Sequence, residues 1–356
     1  MKRTFAIDFE TYYKSDNQDP ENPYGLKTLS MYKYVNDPRF DALLVSVADN
    51  TSGFKWVGDP KKFDWNLIDG ALCLAHNAQF ETAIVDRLVR DGVIPHGIQP
   101  AGWADTADMA AFLRVQRNLK NASKWLLGRD LKKEILVSMD GMTRDQLFGK
   151  PTQLTAVSEY CMLDSVTTHD IWTTCEAQWP ETEREISRLN REACHKGFLV
   201  NTVQLKADIS KLSIDRYNAA MKLPWFEGTY EKLLSVKSLR EQARKDGIDK
   251  VPSSLAKTSP EAMAWENKYG EKFPWVAAIR DVRRLGPLLK KFELMRDGLR
   301  EDGTFPYQLK YHGAGPGRFT SGYGDEDDDR EDVVEHVFNP LNMPKRGPGT
   351  VSELYG

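Results

Sequence analysis

The chain has 356 residues, is 40% hydrophobic and 28% charged, and carries a formal net charge of −3. At roughly 100–200 residues per domain, this length predicts two domains or three. The apolar content excludes general disorder, and the charge balance excludes a histone-like basic protein while leaving room for local nucleic-acid-binding patches.

Met1-Lys2-Arg3 leads directly into Phe5-Ala6-Ile7, an apolar run too short for a signal peptide. No run of about 18 apolar residues offers a membrane span. Cys73, Cys161, Cys175 and Cys194 show no Cys-x-x-Cys pair and no zinc spacing, so they read as reduced, mostly buried thiols of a cytoplasmic protein. Short apolar or alternating runs predict strands at 5–11, 42–48, 53–57 and 72–75. Helical spacing then predicts helices at 77–89, 105–115, 121–127 and 151–179, the last with Pro151 near its start. Strands with helices around them make an α/β layered domain ending near residue 195. Beyond it, 201–221, 235–246 and 274–299 read as amphipathic helices, and 251–260 as a loop rich in Ser and Pro. A Gly-rich segment, Lys310–Ser321, precedes an acidic run at 325–335 that by itself reads as a solvated loop.

Three patterns carry chemistry. On a strand, residues i and i+2 share a face, so Phe5, Ile7 and Phe9 point into a core while Asp8 and Glu10 stand side by side on the other face. A divalent cation relieves their repulsion, as in hydrolytic two-metal sites; the bland alternative is a solvated strand face. His76-Asn77-Ala78-Gln79-Phe80-Glu81 follows a strand and opens a helix, with Asn77 as its N-cap and Glu81 near the positive end of the dipole. Tyr160-Cys161-Met162-Leu163-Asp164 places a phenol and a carboxylate on one helix face. The six histidines show no zinc spacing and read as structural.

Asp-x-Glu on a first strand, Asn-x-x-Phe-Glu at a strand–helix junction and Tyr-x-x-x-Asp on a late helix occur in this order. Together they resemble the DEDD-type 3′→5′ exonucleases of the tyrosine subgroup, over about residues 1–180. The resemblance implies a ribonuclease-H-like α/β fold, a mixed five-stranded sheet with flanking helices. It implies two Mg2+ or Mn2+ ions held by Asp8, Glu10, Glu81 and Asp164, with Tyr160 positioning the attacking water. It also implies contacts from Thr11, Asn77 and Phe80 to a single-stranded DNA 3′ end. The second motif of that family usually carries Asp where this chain has Glu81. Asn-Ala-x-Phe-Glu is similar to a variant among phage polymerases, and Asp86 and Asp108 are weaker stand-ins.

Residues 190–201 resemble the junction after the exonuclease in family A DNA polymerases, the bacterial DNA polymerase I type. Segments 235–240, 252–261 and 274–292 are similar to that family's thumb. Gly317-Arg318-Phe319-Thr320-Ser321 and Phe338–Pro344 are similar to the stretch that opens its palm. The expected organisation is an exonuclease at 1–195, a mainly α-helical thumb-like region at 196–304, and a partial palm segment at 305–356 with an acidic insertion. Arg318 and Asn342 map to primer–template contacts. On a helix from Pro274, Arg280, Arg284 and Lys291 fall within about 40° of one another. Such a stripe suits a phosphate backbone, or is an ordinary solvated face.

The chain stops before the two palm aspartates and the fingers helix of that family. The expected function is therefore a Mg-dependent proofreading exonuclease in DNA replication, with palm and fingers supplied by a second polypeptide, unless the chain is part of a longer one. Residues 300–356 are expected to dock onto that polypeptide, the acidic run meeting a basic surface, and their removal is expected to spare the nuclease. The alternatives are a nuclease-inactive DNA-binding polymerase subunit and a 3′→5′ exoribonuclease of the same fold.

Overall fold

The computed structural model describes residues 3–131, 139–231, 233–248, 250–256, 259–321 and 340–342. The acidic run at 325–335 lies outside them, as do residues 338, 339, 343 and 344 of the palm-like motif. The chain divides into two compact units, Met1–Phe198 with Thr304–Met343, and Leu199–Gly303 with Pro344–Gly356.

The first unit is built on one five-stranded sheet. Its strands are β1 (Thr4–Thr11), β2 (Ala42–Asp49), β3 (Phe54–Gly58), β4 (Leu72–Ala75) and β5 (Gly102–Asp105), in the order β3-β2-β1-β4-β5. β1, β2 and β3 pair antiparallel, whereas β1, β4 and β5 run parallel, so the sheet is mixed. The helices are α1 (Met31–Asn36), α2 (Ala78–Arg90), α3 (Thr106–Phe112), α4 (Leu119–Leu127), α5 (Arg144–Phe148), α6 (Pro151–Cys175) and α7 (Glu181–Lys196).

The alternation in β1 sets the layers. Phe5, Ile7 and Phe9 pack with Ala83, Ile84 and Leu88 of α2. Ala6 packs on the other face with Met109 and Ala110 of α3 and with Ile171 and Trp172 of α6. Because both faces are covered, β2 is buried along its whole length. α6 lies across β1 and β2. Between them the Ser46 hydroxyl donates to the Cys161 carbonyl at 2.7 Å and lies 2.5 Å from the Ser165 hydroxyl, which satisfies the polar groups at that contact.

Several elements depart from the sequence expectation, two of them close to the sheet edge. Asp105 ends a strand and caps α3 instead of starting a helix. α7 is also present, and its buried side chains are Ser187, Arg191 and Cys194, a stripe with the right spacing and little hydrophobicity.

The described residues after Thr304 belong to this first unit. Lys310–Ala314 (β6) pairs antiparallel with Arg318–Thr320 (β7). Tyr311, only 1% exposed, lies in the same core as Ala6, Leu74, Trp172 and Trp179. Arg117 Nη1 donates to the Tyr311 carbonyl and Asn190 Nδ2 to the Leu309 carbonyl, each at 2.8 Å. A Cβ on Gly313 would meet Thr320 Oγ1 at 1.9 Å, so the paired strand itself demands glycine there. Removing 300–356 would therefore strip a core side chain from the first unit, which corrects the expectation that the deletion is harmless.

The second unit is helical: α8 (Thr202–Ala220), α9 (Val236–Lys245), α10 (Pro260–Tyr269) and α11 (Pro274–Asp297). α11 packs on α8 and buries Trp275, Ile279, Val282, Leu285, Leu289 and Phe292, a stripe of helical period. Trp275 meets Trp225 and Trp265 edge-on, with ring centroids 5.6 and 5.8 Å away. Among the described residues, no helix is long and apolar enough to cross a membrane.

Candidate active site

The acidic residues come together through the parallel part of the sheet. β1 and β4 run in the same direction, so the end of β1 and the turn from β4 into α2 lie at the same sheet edge. Asp8 and Glu10 come from β1, Glu81 from the first turn of α2, and Tyr160, Cys161 and Asp164 from α6. Glu10 and Glu81 are buried, at 8% and 4% exposure, and Glu81 Oε2 is buried with no hydrogen-bond partner among the described residues. Donor atoms of Asp8, Glu10 and Cys161 all lie within 4.8 Å of one another. The Cys161 thiol donates to Asp8 Oδ2 at 3.5 Å.

Electrostatics bind these side chains into one group. Burial raises the Asp8 carboxyl well above its usual range, and Asp164, Glu81 and Glu10 push it further the same way. Burial and then Asp164 push Glu10 up to about 8. Burial, then Glu10 and Asp105, raise Glu81. Burial, then Asp164, Glu10 and Asp8, hold the Tyr160 phenol protonated, and the phenol is hydrogen-bonded to Asp164. Buried carboxylates that repel one another, one with an orphaned oxygen, form a cluster that a bound cation would satisfy.

Asp105 shapes the entrance to α2. Its carboxylate accepts from the backbone N–H of Asn77 at 3.1 Å, Ala78 at 2.8 Å, Ala107 at 2.9 Å and Asp108 at 3.3 Å. One side chain thus caps α3 and holds the junction that presents Glu81. Asn77 stands at the N-cap position with φ 91°, but its exposed side chain makes no capping bond. Asn77 is thus the N-cap by position but not by side chain: its backbone carbonyl accepts from Phe80 N–H at 2.9 Å, while Asp105 takes the N–H groups of Asn77 itself and of Ala78. His76 is structural, its ring nitrogens engaged by Thr106 Oγ1 at 2.9 Å and the Arg117 carbonyl at 2.5 Å. Asp108 is bound by Arg117 and Ser187, and Asp86 lies 3.1 Å from His195, so both are engaged elsewhere.

The residues expected to touch DNA are dispersed. Thr11 follows a register shift at the end of β1, and its hydroxyl is 2.7 Å from the Tyr34 hydroxyl. Phe80 is half-buried, its ring 6.0 Å from that of Tyr34. Arg318 is exposed on β7. Arg280, Arg284 and Lys291 belong to the second unit. Arg280 pairs with Glu266 at 2.7 Å and Arg284 with Asp281 at 3.3 Å, which leaves the stripe less positive than its sequence implies. Asn342 ends a short 3-10 turn, and its side chain lies outside the described residues.

Sequence reasoning missed Cys161 and Asp105. The signal for Asp105 is its place just before Thr106-Ala107-Asp108, an N-cap pattern at a strand end. Cys161 carries no local signal, because its thiol meets Asp8 and Glu10 only once α6 lies across β1.

No protein-family model and no curated relative matches the chain. Among solved structures it is similar to the POL domain of Pol1 from M. smegmatis in complex with DNA primer-template and dNTP, with a TM-score of 0.60 and 14% identity. The likeness covers 98% of this chain and 54% of that one, so the chain spans about half the length of that structure. At that identity the shared property is the fold, that of a DNA polymerase I-like polymerase domain.

Proposed function

We propose that the first unit is a 3′→5′ DNA exonuclease of ribonuclease-H-like fold and that the chain works in a family A polymerase. The observation that carries this reading is the group of mutually repelling carboxylates Asp8, Glu10, Glu81 and Asp164, in which a buried Glu81 oxygen has no hydrogen-bond partner among the described residues. The polymerase-like fold supports the wider setting.

The residues present fit divalent cations. Asp8, Glu10, Glu81 and Asp164 would hold two, Mg2+ or Mn2+, which when bound supply a water of lowered pKa and neutralise charge on the phosphate. Tyr160, kept protonated, orients the attacking water as a hydrogen-bonding group. Thr11, next along β1 from Glu10, and Asn77 and Phe80, at the start of α2 with Glu81, are the residues assigned to guide a single-stranded 3′ end. In the second unit the thumb-like helices carry Arg280, Arg284 and Lys291 towards the duplex backbone, and Arg318 and Asn342 serve the primer–template. A further polypeptide of the polymerase is the partner assigned to this chain; sizing chromatography of the chain with polymerase fragments of the same genome tests that partnership, and a chain that stays alone beside all of them ends it.

A 3′-labelled single strand, offered as DNA and as RNA with Mg2+, tests the enzyme itself. Stepwise loss of 3′ nucleotides from DNA is expected, abolished by chelation. If neither strand is digested but DNA is bound, the chain is a nuclease-inactive binding subunit. If only RNA is digested, the substrate assignment fails.

A further inference from the structure

We propose that Cys161 joins Asp8 and Glu10 in a mixed sulfur–oxygen site that binds a thiophilic divalent cation, Zn2+ or Cd2+. The proposal rests on the reading of these two carboxylates as metal ligands and extends it to a residue with no assigned role. Three donor atoms of different hardness already lie within 4.8 Å of one another. The distance from Cys161 Sγ to Asp8 Oδ2 is 3.5 Å. A tetrahedral zinc ion with a Zn–S bond of about 2.3 Å and a Zn–O bond of about 2.0 Å requires a sulfur–oxygen edge of about 3.5 Å. The two ligand atoms therefore stand at the required separation without rearrangement. A second observation comes from a neighbouring carboxylate: Glu81, 4% exposed, acts electrostatically on both Asp8 and Glu10, and its Oε2 is buried with no hydrogen-bond partner among the described residues.

Carboxylates alone suit Mg2+ and Mn2+, while a thiolate shifts preference towards Zn2+. As the metal–sulfur bond forms, the S–H bond breaks and one proton passes to solvent. A cation held by Cys161 shares Asp8 and Glu10 with the proposed nuclease centre, so it competes with Mg2+. The thiol would act as a selectivity element through which traces of zinc slow the enzyme.

The full chain, stripped of metal, is titrated with Cd2+ while the ultraviolet thiolate-to-cadmium charge-transfer band is followed. Cys73, Cys175 and Cys194 are buried too, so Cys161→Ser identifies the source of any band, and Cys161→Val serves if serine disturbs folding. Circular dichroism confirms the fold of each variant. The expected result is a band saturating at one Cd2+ per chain and absent from a folded variant, with Zn2+ affinity reduced at least about 10-fold. A band that persists without Cys161, or Cd2+ binding to the unaltered chain with no band, overturns the proposal. Digestion of single-stranded DNA with Mg2+ is read separately. A Cys161-dependent band in a chain that does not digest DNA upholds the metal site and removes the nuclease reading, whereas digestion without the band does the reverse.

Discussion

The two units handle charge in opposite ways. In the second, Arg280 lies against Glu266 and Arg284 against Asp281, so exposed opposite charges meet near the surface. In the first, Asp8, Glu10 and Glu81 are gathered in the interior against one another and against Asp164. Surface pairs cost little and contribute little. Buried like charges are costly and persist only where the surrounding fold holds them. The difference separates charges already paired at the surface from buried charges that repel one another.

The sharpest way to break that comparison is Asp8→Asn. It removes one charge from the interior and one metal ligand. Exonuclease activity should fall by on the order of 10³-fold or more, as when a group that stabilises transition-state charge is lost. The metal-free chain should melt at a higher temperature, because the remaining carboxylates repel less. Unchanged digestion would remove the site assignment.

Tyr160→Phe should cost less, about 10²-fold, since the carboxylates remain and only the hydrogen bond to the water is lost. Metal binding, followed by thermal shift, should be retained. If activity and metal binding vanish together, Tyr160 is a structural support.

Stability against pH sharpens the contrast further. Glu10 is pushed up to about 8, and Asp8 and Glu81 are also raised. The folded, metal-free chain therefore keeps protons that unfolded carboxylates lose near pH 4. Their contribution is fully present below the unfolded pKa and disappears as pH rises through about 8. Buried His169, shifted downwards mainly by burial, acts in the opposite direction in the acid range, so pH 6.5–8.5 is the cleaner window. Calorimetry should show the metal-free melting temperature falling across it by a few degrees, less so in Asp8→Asn, and the fall shrinking with saturating Mg2+. A rising melting temperature in the metal-free chain would contradict the coupled cluster.

The smallest effect belongs to the second unit. Arg280→Ala with Arg284→Ala should change digestion of short single strands by less than about 3-fold, since exposed pairs are worth little. Its signature is a lower salt dependence of primer–template binding, measured by fluorescence anisotropy. A large loss on short single strands would place these arginines in the reaction.

Much of this was legible from residue patterns. The alternation at Phe5–Glu10 revealed which face of β1 is polar because the period of a strand is unambiguous when large apolar and acidic residues alternate. Two carboxylates two residues apart on the strand, and a tyrosine four residues before an aspartate on the helix, were equally legible as pairs sharing one face. β5 escaped because Gly102-Trp103-Ala104-Asp105 is too short to show a period. α7 escaped because the stripe that it buries is Ser187, Arg191 and Cys194. β6 and β7 were hidden by glycines, which read as a loop although Gly313 is there to let Thr320 approach. The Asp105 clamp joins atoms far apart in sequence, and local spacing carries no trace of such a contact.

The burial of Tyr311 ties folding to the order of synthesis. The core that backs β1 is incomplete until that side chain arrives, roughly a hundred residues after the first stretch of the unit has been made. At ribosomal rates of about 5–20 residues per second, that interval is on the order of 5–20 s. Through it, Trp179 keeps Trp172 as an aromatic neighbour but lacks the Tyr311 ring, and the nascent unit presents an apolar hollow. The first unit would therefore mature only after the helical unit between its two pieces has been translated, which delays the assembly of the acidic centre until most of the chain exists.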